Sequence, residues 1–155
     1  MDEKQLLETW EIHNRINLYL LDATEPASLT SLSASKGRTA GEQFAHIHNV
    51  RLMWLKSAAA DLLEGLLKVE KERAVDKKIL RKSLTDSGEA ITSLLGRAVR
   101  DGGKVKGFKP HVFAFLGYLI SHESHHRGQI ILTLKQSGNV PDKKILYGIW
   151  EWGVR

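Results

Sequence analysis

The chain contains no cysteine. Disulfides, thiolate metal sites and a cysteine nucleophile are excluded at once, and the lack agrees with a reducing compartment. Nor does any stretch approach about 20 unbroken apolar residues, so no transmembrane helix and no membrane partner are expected. The opening MDEKQLLETWEIHNRINLYLL is charged and amphipathic. It lacks a basic region leading into an apolar run, and so does not read as a secretory signal. These absences give the expectation of a cytoplasmic protein. There is also no internal repeat, no low-complexity block and no clear strand pattern. The chain carries a net charge of +5 and a pI of about 9.5, yet it has no basic stripe interleaved with aromatics. Lysines and arginines are spread through KVEKER, KKILRK and GGKVKGFK, with acidic residues interrupting several runs. That pattern describes a solvated cationic surface, and a nucleic-acid partner is not expected.

What remains is a chain of 155 residues, 42% hydrophobic and 26% charged, the mixture of one globular domain. A chain of this size buries roughly 68–70% of its unfolded surface, enough for one core to hold it. Leu6, Trp10, His13, Asn17 and Leu20 follow the three-four spacing of one face and predict a helix over residues 3–21. The following DATEPASLTSLSASKGRT reads as a loop or a short broken segment. Thr39 and Glu42 have the spacing of a capping box and predict the start of a second helix, with a stripe of Phe44, Ile47, Val50, Trp54, Ala58 and Leu62. This stripe fades into GLLKVEKERAV, where the pattern does not decide between helix and loop. A third helix is predicted over 76–100 from Leu80, Leu84, Ser87, Ile91, Leu94 and Ala98. DGGKVKGFKP breaks it, and a fourth helix follows over 111–137, ended by Gly138. The fold expected is all-α: a four-helix bundle of the up-down type, with the short tail NVPDKKILYGIWEWGVR packed back on it.

The chemistry concentrates in SHESHHRGQ, residues 121–129. His122 and His126 stand four apart, one above the other on a helix face, so both imidazoles can reach one ion. An inward histidine alone is more often a hydrogen-bonded core residue, but a pair at this spacing is what a metal requires. A third ligand must come from elsewhere, and FAHIHNVRLMWL offers His46 and His48. The helical wheel leaves both open: His46 lies on one edge of the apolar face beside Val50 and Met53, His48 on the other beside Phe44 and Leu55. His122, Glu123 and His126 also match His-Glu-x-x-His, the zinc signature of many metalloproteases. The extension of one protease class would need glycine at 129 and histidine at 132, where this chain has Gln129 and Leu132. No glutamate follows within two turns, so a zinc protease is not expected. Glu123, four residues before Arg127, reads as a surface ion pair ahead of a general base, and His125 as exposed ahead of a group behind the ligands or a substrate contact. Gln129 sits one turn beyond His126, placed to bond a ligand histidine or a substrate, or to pack between helices. Trp10 reads as core; with His13 it is also a candidate for the pocket wall.

GEQFAHIHNVRLMWL on the second helix, LISHESHHRGQIILTLKQSG on the fourth and the closing YGIWEWG together resemble the DinB-like proteins, the damage-inducible four-helix bundles. The resemblance spans nearly the whole chain by architecture. Its most diagnostic part is His122-x-x-His125-His126-Arg127-Gly-Gln129. The family's Ala-His-Ile step matches Ala45-His46-Ile47. The resemblance thus implies His46, His122 and His126 as ligands of a divalent ion, zinc or nickel first, with His48, Glu123, His125, Arg127 and Gln129 as candidates for its surroundings. It further implies a bacterial source, a homodimer, and a metal-dependent enzyme acting on a small electrophilic substrate: a transferase using a low-molecular-weight thiol cosubstrate, or a hydrolase. The alternative is a non-catalytic, stress-related bundle with a structural metal or none.

Overall fold

A computed structural model describes residues 2–155. Its long helices are α1 (Glu3–Ala23), α2 (Ala40–Ala58), α3 (Lys77–Arg100) and α4 (Val112–Gln136), and a short α5 (Lys143–Gly148) follows. Among the described residues there is no strand, only an isolated bridge between Lys104 and His111 in the α3–α4 turn. The protein is therefore an all-α bundle.

Each long helix starts where its sequence supplies an acceptor for the first free amides. Asp2 and Gln5 form a capping box on α1, and Thr39 and Glu42 form one on α2. Asp76 caps α3 through the amides of Lys78 and Ile79, and His111 caps α4 through the amide of Ala114. Caps of this kind contribute about 1 kcal/mol each. At the far end of α4 the backbone turns left-handed at Gly138 (φ 78°), and the Asn139 amide donates to the Leu134 carbonyl across 2.8 Å. This closes a Schellman motif, which is where glycine is needed.

Around the bundle the order is α1, α3, α2, α4, each helix packing on its two neighbours in that ring. Direction can be read from paired ends. Glu3 meets Arg100 and Asp22 meets Arg81, so α1 and α3 are antiparallel. Arg51 meets Leu84 and Ser87, while Asp61, just past α2, meets Arg97, so α2 and α3 run the same way. The up-down alternation is thus interrupted once, and residues 59–76 carry the chain back along α2. This returning strap is the segment whose helix content the sequence left undecided. It consists of two short 3-10 turns, Ala60–Leu63 and Lys71–Arg73, with an extended stretch between them. Three contacts tie it to α2. His48 Nε2 donates to the Leu67 carbonyl (2.9 Å), and Asn49 bonds both the amide and the carbonyl of Val69. At Gly41 the Ala74 carbonyl comes so close that a Cβ would lie 2.0 Å from its oxygen.

The core has two apolar layers. One gathers Leu20, Leu29, Phe44, Ile47, Leu84 and Ile130. The other gathers Leu6, Trp10, Leu55, Ile91, Phe115 and Leu119. On every helix the positions between these layers are polar and buried: His13 and Asn17 on α1, Arg51 on α2, Ser87 on α3, Glu123 and Arg127 on α4. This polar layer corrects the expected α2 stripe. The buried line passes through Phe44, Ile47, His48, Arg51 and Leu55. Val50 and Trp54 are half-buried at its margin, and Leu62 lies beyond the helix in the strap.

The tail touches the bundle at a few points. Gly148 is buried against Tyr19, and Arg155 stacks on the Tyr19 ring at 3.8 Å. Its large apolar residues Tyr147 and Trp150 face outward, at 72% and 76% exposure. No helix among the described residues is long and apolar enough to cross a membrane.

Candidate metal centre

Across the α2–α4 seam, His46, His122 and His126 offer three ring nitrogens that all lie within 4.8 Å of one another. Nε2 of His122 and Nε2 of His126 are 3.2 Å apart. Two nitrogens bound about 2.0–2.1 Å from a tetrahedral zinc ion lie roughly 3.3 Å apart, so this pair already has the separation that a shared ion imposes. The His46 ring sits edge-on to His126, with centroids 4.5 Å apart. Of the two candidates on α2, His46 is the one the helix turns toward α4.

A ligand imidazole must keep the lone pair of its metal-facing nitrogen free, and the bond made by the other nitrogen fixes this. Gln43, buried one turn before His46, supplies such a bond: its Oε1 accepts from His126 Nδ1 across 2.7 Å. Gln43 in turn donates Nε2 to Gln129 Oε1 (3.0 Å), and Gln129 donates to His125 Nε2 (3.0 Å). Gln129 therefore reaches His126 through Gln43. The Tyr118 ring stacks on His122 with centroids 6.1 Å apart and 19° between planes.

All three imidazoles resist protonation. Burial is the first cause in each case. For His126 the neighbouring His46, His122 and His125 and the guanidinium of Arg38 add to it, and its pKa falls to about 4. Arg38 also opposes protonation of His46 and His122. The site thus presents neutral nitrogen donors at neutral pH, the form a divalent ion binds. His46 and His122 are half-buried and His126 buried, and a cleft of about 190 Å³ opens beside His46. These residues fit a divalent ion.

Glu123 corrects the surface expectation. It is 1% exposed and turned into the polar layer. Its Oε1 accepts from Arg51 Nε (2.7 Å), while Oε2 accepts from Arg51 Nη2 (2.8 Å), Asn17 Nδ2 (2.7 Å) and His13 Nε2 (2.9 Å). Burial would push its pKa up, but the charge and the forked bond of Arg51 prevail and hold the carboxyl well below the usual range. A carboxylate so engaged is not available as the general base of a His-Glu-x-x-His protease. Arg127 is buried as well, and it bonds Asn17 Oδ1 (2.6 Å) and Ser124 Oγ (2.9 Å) instead of Glu123. His13 is walled into the core on Glu123, not on a pocket, and Trp10 is core, donating its indole N–H to the Gly88 carbonyl.

The remaining candidates divide. His125 is exposed, as expected, and tied to Gln129. His48 points away from the triad and holds the strap. Gln43 and Arg51 were missed from the sequence. Gln43 stands three residues before His46 and so shares its helix edge, a spacing that could have exposed it. Arg51 carried no signal of its own, because arginine is almost never fully buried unless paired.

A family model described as the DinB family matches residues 1–150, and the chain belongs to that family. No curated protein and no solved structure matches it.

Proposed function

For this member of the DinB family, we propose a metal-dependent enzyme in which His46, His122 and His126 hold one divalent ion and a small electrophilic substrate enters beside His46. The observation that carries this reading is the neutral histidine triad, one ring of which Gln43 orients and one of which, His46, lines an open cleft. Three imidazoles neutralise none of the ion's charge. Bound there, a zinc or nickel ion supplies Lewis acidity and lowers the pKa of a water or thiol toward neutrality. The chain has no cysteine, so a thiol nucleophile would come from solution as a cosubstrate. Transfer of that thiol to an electrophilic carbon, or hydrolysis by water, are the two reaction classes this supports.

The chain's own residues have definable parts in it. Gln43 orients His126. Tyr118 backs His122, and behind it Trp54, Phe108 and Phe115 form an aromatic wall with ring centroids 5.1–5.9 Å from Trp54. The strap, anchored by His48 and Asn49, forms one wall of the cleft beside His46.

A non-catalytic bundle with a structural metal would close the coordination shell with protein groups. The two readings separate on cobalt-substituted protein. If azide or imidazole shifts its visible spectrum and thiol-plus-electrophile turnover is lost with chelator, the enzyme reading holds. If no exogenous ligand perturbs the spectrum and no thiol- or water-dependent turnover occurs, it fails. The outward Tyr147 and Trp150 support self-association through the tail, which sedimentation at rising concentration would test.

A further inference from the structure

Arg38 stands one residue before the cap of α2, on the helix edge that continues through Glu42, Ala45, His46 and Asn49. This edge is the floor of the cleft beside the triad, and the strap residues Lys68, Glu70 and Lys71 make its wall. The charges there are not balanced. Lys68 is paired with Glu70 at 3.0 Å and Lys71 with Glu42 at 3.6 Å. Glu42 is further engaged in capping, accepting from the Thr39 amide. Arg38 is exposed and has no ion-pair or hydrogen-bond partner among the described residues, although it lines the same cleft as His46. A surface arginine normally finds a carboxylate when one is near. Here both nearby carboxylates already have lysines.

We propose that Arg38 is the recognition group for the substrate or cosubstrate of this site, and that the molecule it admits is acidic: a donor atom for the ion at the triad, joined by a short linker to a carboxylate or phosphate held by the Arg38 guanidinium. This rests on the metal-enzyme reading above and narrows it from any small molecule to an anionic one. The chemistry is that of the planar guanidinium fork, which matches two oxygens of a carboxylate or phosphate. Arg38 and His46 line the same cleft of about 190 Å³, so an ion held at His46 and the guanidinium would present charge of one sign to it. A molecule with a nucleophilic donor at one end and an anion at the other satisfies both, and a cationic or neutral one does not. Cleft charge of one sign also raises the local concentration of such an anion before it docks.

The test uses cobalt-loaded full-length protein and three thiols of similar length. These are 3-mercaptopropionate and 2-mercaptoethylphosphonate as acidic probes, and 2-mercaptoethanol as the neutral one. Binding is read from the sulfur-to-cobalt charge-transfer band. Wild type is expected to bind an acidic probe at least about tenfold more tightly than the neutral one, with that preference weakened by salt. Arg38→Gln should reduce the preference to near parity while leaving mercaptoethanol affinity unchanged. Lys135→Gln, which removes an equal charge at an exposed site in the last turn of α4, should preserve it. Which acidic probe loses more in Arg38→Gln identifies carboxylate or phosphate as the group recognised. Equal affinity for all three thiols in wild type, or a preference that survives Arg38→Gln, overturns the proposal. If no thiol of any charge yields the band, the underlying reading of an open metal site has failed, and this inference fails with it.

Discussion

Gln43 accepts the Nδ1 hydrogen of His126 across 2.7 Å, and through that one bond it fixes how the His126 ring is presented to His46 and His122. With the hydrogen held on Nδ1, Nε2 carries the lone pair and turns it toward His122 Nε2, 3.2 Å away. Substituting Gln43→Ala leaves the ring unrestrained and its inner nitrogen unsatisfied. Metal affinity is expected to fall about 10–100-fold, as for other partners of metal-binding histidines. Competition against a chelating dye measures this, with circular dichroism confirming intact helices. Unchanged affinity would contradict the role.

A second prediction concerns the pair that ties the four helices together. Arg51 and Glu123 are both buried, joined by two short bonds, and Arg51 also reaches the Leu84 carbonyl and Ser87 on α3. Arg51→Leu strands the carboxylate of Glu123 in the core and should destabilise the protein by about 3–5 kcal/mol in urea unfolding. The double substitution Arg51→Leu with Glu123→Leu removes both charges and should recover a substantial part of that loss. A double variant no more stable than the single one would show that the ion pair is not the source of the cost.

Acid should weaken the metal-free fold in a defined window. His13, His46, His48, His122 and His126 all have pKa values lowered from 6.5, with burial the first cause. Below pH 6.5 the unfolded chain therefore takes up protons that the folded chain refuses, and stability falls with pH. For His126 this continues until its folded pKa of about 4. In chelator-treated protein, Tm should be insensitive to these groups above pH 6.5 and decline from there toward pH 4. Glu123 adds its own loss only at lower pH, because Arg51 keeps it ionised below the usual carboxylate range. A Tm that rises on acidification through this window would contradict the assignment.

The positions of the long helices were legible because caps and periodicity acted locally. Thr39 with Glu42, Asp76, and Gly138 mark ends that the structure keeps within a residue or two. His122 and His126 were legible because four-residue spacing is a property of the helix itself. The choice of His46 over His48 was not legible from periodicity, since both lie on edges of one stripe; it came from the family resemblance at Ala45-His46-Ile47, and the packing of α2 on α4 and on the strap agrees with it. Glu123 and Arg127 misled for a related reason. Charged residues at helical spacing normally face water, and what turns these inward is Arg51, Asn17 and His13 from two other helices. The strap between α2 and α3 lacked a pattern because it has little regular structure of its own and takes its course from Gly41, His48 and Asn49.

The central claim is that one divalent ion is held by His46, His122 and His126. Metal content of untagged protein, purified without chelator, tests it most directly when wild type is set beside His46→Ala, His122→Ala, His126→Ala and His48→Ala. The account predicts about one equivalent in wild type and in His48→Ala, and strong depletion in each of the other three. Wild type that carries no metal and gains none from zinc, nickel or manganese would contradict it, as would retention of the ion in His46→Ala with loss in His48→Ala.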